Sequence, residues 1–434
     1  MTTPLYRNDK RATFPTSWYS ATVDAPPLRP ELRGRHDVDV CVVGAGYTGL
    51  TAARTLAGMG LSVIVLEAHR AGFGASGRNG GQVASGYNAL QSLLAQKLGA
   101  DTARALWDLA QEAKGDVAAN CATIAPDAQR KPGIAHGCND TAELEKMKAE
   151  AAFLAATYGY DDIEMYDTAP FREIVKTRRY TGGTIDRGGA HIHPLRYALA
   201  LAQAAEDAGA VIYEKSAVHH LAKGDPATLR TSKGLVKAKH VVLATNGYTA
   251  GLERSVAARV QPVNSFICAT APLNGAAQVL AQDIAVEDSK TFVNYYRMSA
   301  DNRLLFGGRA SARVAFPKDI GALLRPRMLD LFPQLAETKI VYRWGGTLGV
   351  TLSALPAVQR IGPNIVSAGG FTGHGVALSG LCGKVMAEAI AGQAGRFDTL
   401  ASIPAPAYPG GPFGARALLG LFMTWSTLRD RLGS

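Results

Sequence analysis

The sequence of 434 residues lacks several features that define other classes of protein. Its five cysteines are widely spaced and include no C-x-x-C pair, which argues against a disulfide framework or a zinc cluster and predicts a reducing compartment. It has no run of about 20 apolar residues, and the first 20 residues lack the apolar region of a secretory signal peptide. We therefore expect a soluble, cytoplasmic protein.

Runs of basic residues are also missing, although the net charge is +10. Lysine and arginine are dispersed along the chain and do not alternate with aromatic residues, so we expect no nucleic-acid partner. Dispersed charge is typical of a solvated surface. The basic balance is better suited to an anionic cofactor or an acidic substrate.

A glycine-rich loop is the first positive signal. Gly44, Gly46 and Gly49 have the spacing G-x-G-x-x-G, and they lie between an apolar, β-branched run at 38–43 and a helical pattern at 47–59. In this context the first glycine permits a tight turn, the second allows backbone to approach a pyrophosphate, and the third lets the helix pack closely on the strand.

The stretch that follows completes a βαβ unit and extends it. A second β-branched run at 61–66 ends at Glu67, where a carboxylate can accept hydrogen bonds from ribose hydroxyls. Residues 68–81, AHRAGFGASGRNGG, add five glycines, and Arg78 among them can serve a pyrophosphate or a flavin. An NAD-binding domain has no obvious need for this second loop, so the pattern favours FAD.

The patterns in the rest of the chain predict the secondary structure and the division into domains. Residues 101–158 and 190–207 have helical patterns, 239–244 resembles a buried strand, and 261–309 alternates as antiparallel strands do. The predicted fold class is α/β, with a discontinuous Rossmann-like FAD-binding domain and a substrate domain built on a mainly antiparallel β-sheet with helices. At 434 residues two domains are the default expectation. The predicted domains are 36–90, 185–260 and 345–400 for FAD, 91–184 and 261–344 for substrate, and a C-terminal tail at 401–434.

Six motifs in order identify a family resemblance: VVGAGYTGLTAARTLAGMGLSVIVLEA, GASGRNGGQ, HIHPLRYALALAQAAEDAGA, VVLATNGY, YYRMSADNRLLFGGR and GGFTGHGVALSG. The chain resembles the FAD-dependent amine and amino-acid oxidases of the D-amino-acid oxidase, glycine oxidase and sarcosine oxidase superfamily, and most of all its gamma-glutamylputrescine oxidase branch. The resemblance covers nearly the whole chain. It implies that FAD lies extended, with its AMP end on the first βαβ unit and its isoalloxazine ring at the boundary with the substrate domain.

The resemblance also assigns residues to the cofactor. Glu67 would meet the adenosine ribose, Val218 the adenine, and the helix that starts near Gly375 the flavin C2 carbonyl, where its positive end would stabilise charge on the reduced ring. The full set is Gly44, Gly46, Tyr47, Thr48, Gly49, Glu67, Ala68, Ala75, Ser76, Arg78, Asn79, Gly80, Gly81, Gln82, Val218, Ala244, Thr245, Gly247, Gly346, Gly370, Gly373, His374, Gly375 and Val376.

One departure from the family bears on how FAD is held. The sarcosine oxidases attach FAD through a cysteine in a region similar to residues 343–351, RWGGTLGVT, and this segment contains no cysteine. We therefore expect noncovalent FAD. No metal is expected, because His191 and His193 lack metal-ligand partners in the sequence.

The resemblance implies oxidation of a small-molecule amine to an imine or aldehyde, with O2 reduced to H2O2 and gamma-glutamylputrescine or a related polyamine derivative as substrate. Two alternatives stay open: the same fold with a secondary or cyclic amino acid such as pipecolate or proline as substrate, or with a quinone as acceptor, and a non-enzymatic nucleotide-binding module. Tyr296, Trp344 and His374 are the catalytic candidates, although strand aromatics are core residues by default. Tyr295, Arg297 and Arg309 are substrate candidates, and surface salt bridges are the alternative for the arginines.

The C-terminus has an amphipathic helical pattern beside two arginines. Its apolar members recur at helical spacing and require a cover, which is the protein's own surface, another subunit or a membrane surface. A membrane contact would allow electron transfer to a quinone, and the oligomeric state is left open. The pattern consists of Leu418, Leu421, Phe422, Trp425 and Leu428, with Arg429 and Arg431.

Overall fold

The computed structural model describes residues 4–249, 251–290, 292–411, 414–415 and 417–421. The helices are α1 (Trp18–Ala21), α2 (Tyr47–Gly58), α3 (Gln91–Leu98), α4 (Ala100–Thr123), α5 (Thr141–Tyr158), α6 (Thr168–Ile174), α7 (Pro194–Asp207), α8 (Arg254–Ala257), α9 (Ile320–Leu331), α10 (Gly375–Ile390) and α11 (Gly395–Ala401). The strands are β1 (Gly34–Val43), β2 (Val63–Leu66), β3 (Gln82–Val83), β4 (Lys131–Cys138), β5 (Ile163–Asp167), β6 (Gly182–His191), β7 (Val211–Tyr213), β8 (His220–Ala222), β9 (Ala227–Arg230), β10 (Gly234–Leu243), β11 (Gln261–Pro272), β12 (Ala285–Asp288), β13 (Tyr295–Met298), β14 (Arg303–Ser311), β15 (Ile340–Val350), β16 (Ala357–Arg360) and β17 (Ile365–Gly369).

The first sheet has the order β16-β17-β10-β1-β2-β7, with β9 and β8 added beside β10. Its centre is parallel: β1 pairs with β10 and β2, β10 with β17, and β2 with β7. Parallel strands buried on both faces read as continuous apolar runs, and the four residues of β2 are all buried. Helices α2, α7 and α10 share one apolar cluster on one face of this sheet.

The second sheet has the order β15-β11-β14-β13-β12-β4-β6-β3, with β5 beside β6. All its pairings are antiparallel except that of β12 with β4. Helix α9 packs its buried residues into the apolar cluster on one face. The predicted fold class, a Rossmann-like unit with a mainly antiparallel second sheet, is confirmed.

Sheet membership does not follow the predicted domain boundaries everywhere. β3, β6 and the end of β15 belong to the second sheet, although the predicted cofactor segments include them. Conversely, α4 packs with α2 and α10 in the cluster of the first sheet. The division into domains stays a prediction. The points at which the chain passes from one sheet to the other have no distinctive sequence.

Several strands of the second sheet were not predicted, and β4 is one of them. Residues 101–158 were expected to be mostly helical, and β4 lies within this range, between α4 and α5. It is an interior strand of the second sheet, and its residues pair with β6 on one side and with β12 on the other. Two glycines and one proline within eight residues weaken its local strand signal.

Across the described ranges, no helix combines the length and the apolar character needed to span a bilayer. Two members of the predicted C-terminal stripe are described, and Leu418 and Leu421 are 42% and 72% exposed. Phe422, Trp425, Leu428, Arg429 and Arg431 lie outside the described residues.

Helices α2 and α10 approach each other at Gly383, and this contact generates a stability prediction. A Cβ built on Gly383 would lie 2.2 Å from the carbonyl oxygen of Thr48, whereas one on Gly380 would meet only Thr51 Oγ1 at 3.6 Å. We expect Gly383→Ala to lower the free energy of unfolding by about 1–3 kcal/mol through overpacking. Chemical denaturation of the purified protein measures the effect.

The matched control is Gly380→Ala, one turn earlier on the same helix. It should leave stability unchanged or raise it by up to about 1 kcal/mol, because alanine is the better helix former. Equal effects of the two substitutions would contradict the close contact between the helices.

Candidate active site

A cavity of about 1410 Å³ lies between the two sheets. Its walls include the carboxyl ends of β1, β2 and β10, and residues of β11, β13 and β14 form another part. Ligands of open parallel sheets bind at these carboxyl ends. The volume exceeds the range of about 300–1,000 Å³ that is typical of a pocket for one small ligand, so a large cofactor and a substrate can share it.

The amino end of α2 faces this cavity through the glycine loop. Gly44 has φ +104°, which a residue with a side chain rarely adopts, and a Cβ on Gly46 would lie 2.9 Å from Ser76 Oγ. The amide of Tyr47 donates to the same Ser76 Oγ over 3.0 Å. The loop thus brings backbone and the positive end of a helix to the cavity surface, which fits a pyrophosphate.

Glu67 ends β2 at the cavity and is held by backbone. Its Oε2 accepts from the amide of Ala45 over 2.9 Å, and its Oε1 accepts from the amide of His69 over 2.8 Å. Burial raises the pKa of Glu67 to about 7, and these amide hydrogen bonds oppose the rise. Both carboxylate oxygens are oriented, so the side chain is placed to accept hydrogen bonds from ribose hydroxyls. Ala68 and Val218 line the same end of the cavity.

The loop at 75–81 is rigid because its own side chains tie it together. Asn79 Nδ2 donates to the carbonyls of Ala75 and Ser76, while its Oδ1 accepts from the amide of Gly81. Ala75, Ser76, Arg78, Asn79, Gly80, Gly81 and Gln82 all line the cavity.

Arg78 is largely engaged by the protein itself. Its Nε donates to the carbonyl of Phe73 over 2.7 Å, and its Nη1 contacts Asp9 at 3.0 Å and the carbonyl of Gly345 at 3.1 Å. Its Nη2 is buried and has no hydrogen-bond partner among the described residues. The two N–H groups of this nitrogen therefore remain for a ligand.

Helix α10 points its amino end at the cavity from another side. Gly373, His374, Gly375 and Val376 line the wall, and the N-cap His374 offers no side-chain hydrogen bond to the helix. Burial lowers the pKa of His374, and the charge of Glu287 opposes that shift. A neutral imidazole beside free helix amides fits the electron-rich edge of a ring system.

The second sheet contributes a row of cross-strand neighbours to the opposite wall. His136 on β4 is paired with Glu287 on β12, Glu287 with Tyr295 on β13, and Tyr295 with Gly307 on β14. The first three line the cavity, and the ring of Tyr295 covers Gly307, where a Cβ would lie 2.0 Å from it. Tyr295 OH is within 3.0 Å of Ser265 Oγ.

Arg309 follows on β14 at a β-bulge. The pairing of β14 with β11 shifts between Gly308 and Ala310, and Arg309 has φ +61°. Such conformations are costly for residues with side chains, and they cluster at functional sites where a bulge redirects a side chain. Arg309 lines the cavity, and its buried Nε has no hydrogen-bond partner in the described ranges.

Three predicted site residues do not line the cavity, and their assignment to the site stays a prediction. Tyr296 is 2% exposed and packs on Phe306, because it points to the face of β13 opposite Tyr295. Trp344 donates its Nε1 to the carbonyl of Arg78 and so supports the 75–81 loop from behind. Arg297 is 5% exposed, and its Nε donates to the carbonyl of Gly80, so it braces the same loop.

Three of the predicted cofactor glycines also lie off the cavity surface. A Cβ on Gly49 would be 1.9 Å from the carbonyl oxygen of Gly44, and one on Gly247 would be 2.7 Å from that of Leu348. Gly370 has φ +74°, and its amide donates to Asn246 Oδ1. These glycines permit close packing of the loops that line the cavity. Thr48, Ala244, Thr245 and Gly346 line it as predicted, and their assignment to the cofactor stays a prediction.

The two histidines of the HIHP motif have protein partners. His193 Nδ1 accepts from the amide of Arg196 and caps α7, and His191 contacts Asp283. One cluster of possible ligand atoms is found in the described part, at His136, Cys138 and Glu143, within 4.8 Å of one another. The expected absence of a metal stays a prediction.

Sequence reasoning missed part of the cavity wall. His136 and Glu287 come from short strands of the second sheet, and Leu5 and Tyr6 come from the N-terminal segment. The sequence signal available for Glu287 is its place in the pattern AVED, within the range 261–309 that is predicted to form antiparallel strands. For His136 no comparable local signal exists.

Residues 39–389 match the family described as "DAO: FAD dependent oxidoreductase", so the chain belongs to this family. It is 38% identical to "Gamma-glutamylputrescine oxidoreductase" of Escherichia coli (strain K12) over 96% of this chain and 99% of that protein. It is 37% identical to "Probable oxidoreductase OrdL" of Rhizobium meliloti (strain 1021) over 96% and 97% of the two chains.

Solved structures support the fold. Glycine oxidase from Geobacillus kaustophilus superposes with a TM-score of 0.69 at 21% identity, covering 82% of this chain and 95% of that one. L-Proline dehydrogenase from P. horikoshii superposes with a TM-score of 0.66 at 20% identity, covering 83% and 94%. The protein is thus an FAD-dependent oxidoreductase, as predicted. The expectation that it oxidises an amine agrees with these relatives.

The glycine loop at the amino end of α2 leads to a prediction about Gly46. We expect Gly46→Val to lose FAD during purification, because a β-branched side chain would meet Ser76 Oγ and fill the space that backbone needs to approach the pyrophosphate. The ratio of flavin to protein absorbance should fall to below about a tenth of the parental value, roughly 1.4 kcal/mol or more of binding.

Gly58→Ala is the matched control. Gly58 lies at the carboxyl end of α2, where a Cβ would meet nothing within 4 Å. This variant should retain FAD. A Gly46→Val protein with parental flavin content would show that the loop does not carry the pyrophosphate.

Proposed function

We propose that the protein oxidises the primary amine of a polyamine derivative that bears a carboxylate, with gamma-glutamylputrescine as the leading candidate and O2 as electron acceptor. The observation that carries the proposal is Arg309, a cation with an unsatisfied donor on the cavity wall. The similarity to gamma-glutamylputrescine oxidoreductase, which spans nearly all of both chains, supports the choice of amine.

The geometry of Arg309 suits a carboxylate. Arginine presents several N–H donors in a planar fork that matches two carboxylate oxygens. The main chain of Arg309 is already engaged, because its carbonyl accepts from Ser265 Oγ over 3.3 Å. The bulged backbone is therefore held in place while the side chain remains available, and a substrate acid is the partner we assign to it.

The residues that would hold FAD are those of the glycine loop, Glu67, the 75–81 loop and the amino end of α10. When bound, FAD supplies the two-electron acceptor for oxidation of the C–N bond, and water hydrolyses the imine product. The flavin carries this chemistry, so no acid–base pair is required from the protein.

The protein's task is to position the amine and to favour its neutral form. Val263, Ile267 and Tyr295 form an apolar part of the wall beside Ser265. Burial against such surface disfavours the charged form of an amine and lowers its pKa.

A second candidate function follows from the same arginine. A secondary or cyclic amino acid also bears a carboxylate, and Arg309 would bind it equally well. In that case a quinone is the alternative electron acceptor. The two classes of substrate differ in the distance between the carboxylate and the amine that is oxidised. Comparing the turnover of substrates from each class tests which one the protein uses.

We expect H2O2 release with gamma-glutamylputrescine to exceed that with putrescine, N-acetylputrescine, proline and pipecolate, and Arg309→Gln to lower the preference. Charged hydrogen bonds contribute about 1.5–3 kcal/mol, so KM for gamma-glutamylputrescine should rise about 10- to 100-fold. KM for N-acetylputrescine, which has no carboxylate, should stay within about twofold, well under 1.4 kcal/mol.

Arg313→Gln is the control, because Arg313 is exposed, follows the end of β14 by two residues and lies outside the cavity lining. Turnover of proline or pipecolate in preference to the polyamine derivatives would favour the second candidate, and reduction of a quinone without H2O2 release would reject O2 as acceptor. A KM unchanged by Arg309→Gln would reject the carboxylate contact.

The mode of FAD attachment gives a separate prediction. Among the described residues that line the cavity there is no cysteine, and all five cysteines are buried elsewhere. We expect acid precipitation of the yellow protein to release FAD into the supernatant. Flavin that stays with the denatured pellet, detected by its absorbance, would show a covalent link.

A further inference from the structure

His136 lies between two glutamates at the cavity wall. Its Nε2 is 3.0 Å from Glu143 Oε1, and its Nδ1 is 3.9 Å from Glu287 Oε1. Glu143 is also the acceptor for the amide of Asn139 and lies outside the cavity lining. The imidazole thus has a firm partner on the protein side and a longer contact on the cavity side.

The charge of this cluster, His136 with Glu143 and Glu287, is negative. Burial alone would lower the pKa of His136, but hydrogen bonds and charges from both glutamates outweigh it and raise the pKa to about 9. Burial would raise the pKa of Glu287, but the neighbouring imidazoles of His136 and His374 lower it. At neutral pH the imidazole of His136 is therefore protonated, and the carboxylates of Glu143 and Glu287 are both ionised.

Glu287 is the member of the cluster that is open to a ligand. Its side chain is 28% exposed, and it lines the cavity. Among the described residues, its ion-pair partner is the imidazole of His136, whose Nδ1 lies 3.9 Å from Glu287 Oε1. A partly exposed carboxylate on the cavity wall can accept from a donor of a ligand as well as from His136.

Two other roles for Glu287 fit its charge less well. A carboxylate that is held ionised by a neighbouring cation is a weak base, so Glu287 is poorly suited to remove a proton from the reacting amine. A carboxylate beside the reacting amine would also stabilise its protonated form, which opposes oxidation. A contact with a cationic group that is not oxidised avoids both problems.

We propose that Glu287 binds an ammonium group of the substrate other than the amine that is oxidised, and that His136 and Glu143 position its carboxylate. The identity of that group as the α-ammonium of a glutamyl moiety rests on the proposed function. Glu287 and Arg309 belong to strands separated by β13, so their strands are about 10 Å apart across the sheet, and Arg309 lies two residues further along β14 than Gly307, the residue in register with Glu287. Their side chains can approach the ammonium and the carboxylate of one zwitterionic head from two sides.

The test uses two ligands that carry no oxidisable amine at the far end. γ-Glutamylethylamide has both the α-ammonium and the carboxylate, and N-ethylglutaramate has the same chain and carboxylate without the ammonium. Titration calorimetry on the FAD-loaded protein measures Kd for each. We expect the parental protein to bind γ-glutamylethylamide at least about tenfold more tightly.

Glu287→Gln should abolish this preference while Kd for N-ethylglutaramate stays within about twofold. An unchanged flavin absorption spectrum confirms that the variant is folded and loaded. Glu164→Gln is the matched control, because Glu164 lies on β5 of the same sheet, pairs with Arg187 and lies outside the cavity lining. This control should keep the parental preference.

Equal binding of the two ligands by the parental protein, no measurable binding of either, or a preference that survives Glu287→Gln would each overturn the inference. A protein that oxidises no gamma-glutamyl amine but still prefers γ-glutamylethylamide would refute the proposed function and leave the ammonium site supported. The two proposals therefore fail through different measurements.

Discussion

The contact on which the cavity depends is the packing of α2 against the turn that precedes it. A Cβ on Gly49 would lie 1.9 Å from the carbonyl oxygen of Gly44, so only glycine allows the helix to start this close to β1. Gly383 brings α10 equally close to the first turn of α2. Two helix amino ends consequently face one cavity, and their partial positive charge favours an anionic cofactor.

The 75–81 loop joins this helical frame to the second sheet. Arg78 connects it to the N-terminal segment through Asp9 and to β15 through the carbonyl of Gly345. Trp344 and Arg297, which were candidates for the pocket, instead hold the loop from behind through its carbonyl groups. Residues with no access to the cavity thus set the shape of its wall.

Charge is distributed unevenly around the cavity. Glu67 is at the end assigned to ribose, whereas Arg309 and Glu287 are on the wall formed by the second sheet. Opposite charges on one wall suit a ligand with both an ammonium and a carboxylate better than a plain diamine. Tyr295, between them in the strand order, covers Gly307 and supplies a flat apolar surface.

The sequence alone indicated the βαβ unit, the preference for FAD and the antiparallel strands within 261–309, because these features have a local spacing of glycines and apolar residues. It also identified most of the loops that line the cavity. Only the tertiary structure decided which face of a strand meets the cavity, as the neighbours Tyr295 and Tyr296 demonstrate. His136 and Glu287 are far apart in the chain and become neighbours because β4 pairs with β12. Such contacts depend on sheet order and register, which arise from long-range packing and leave no periodic mark in the sequence.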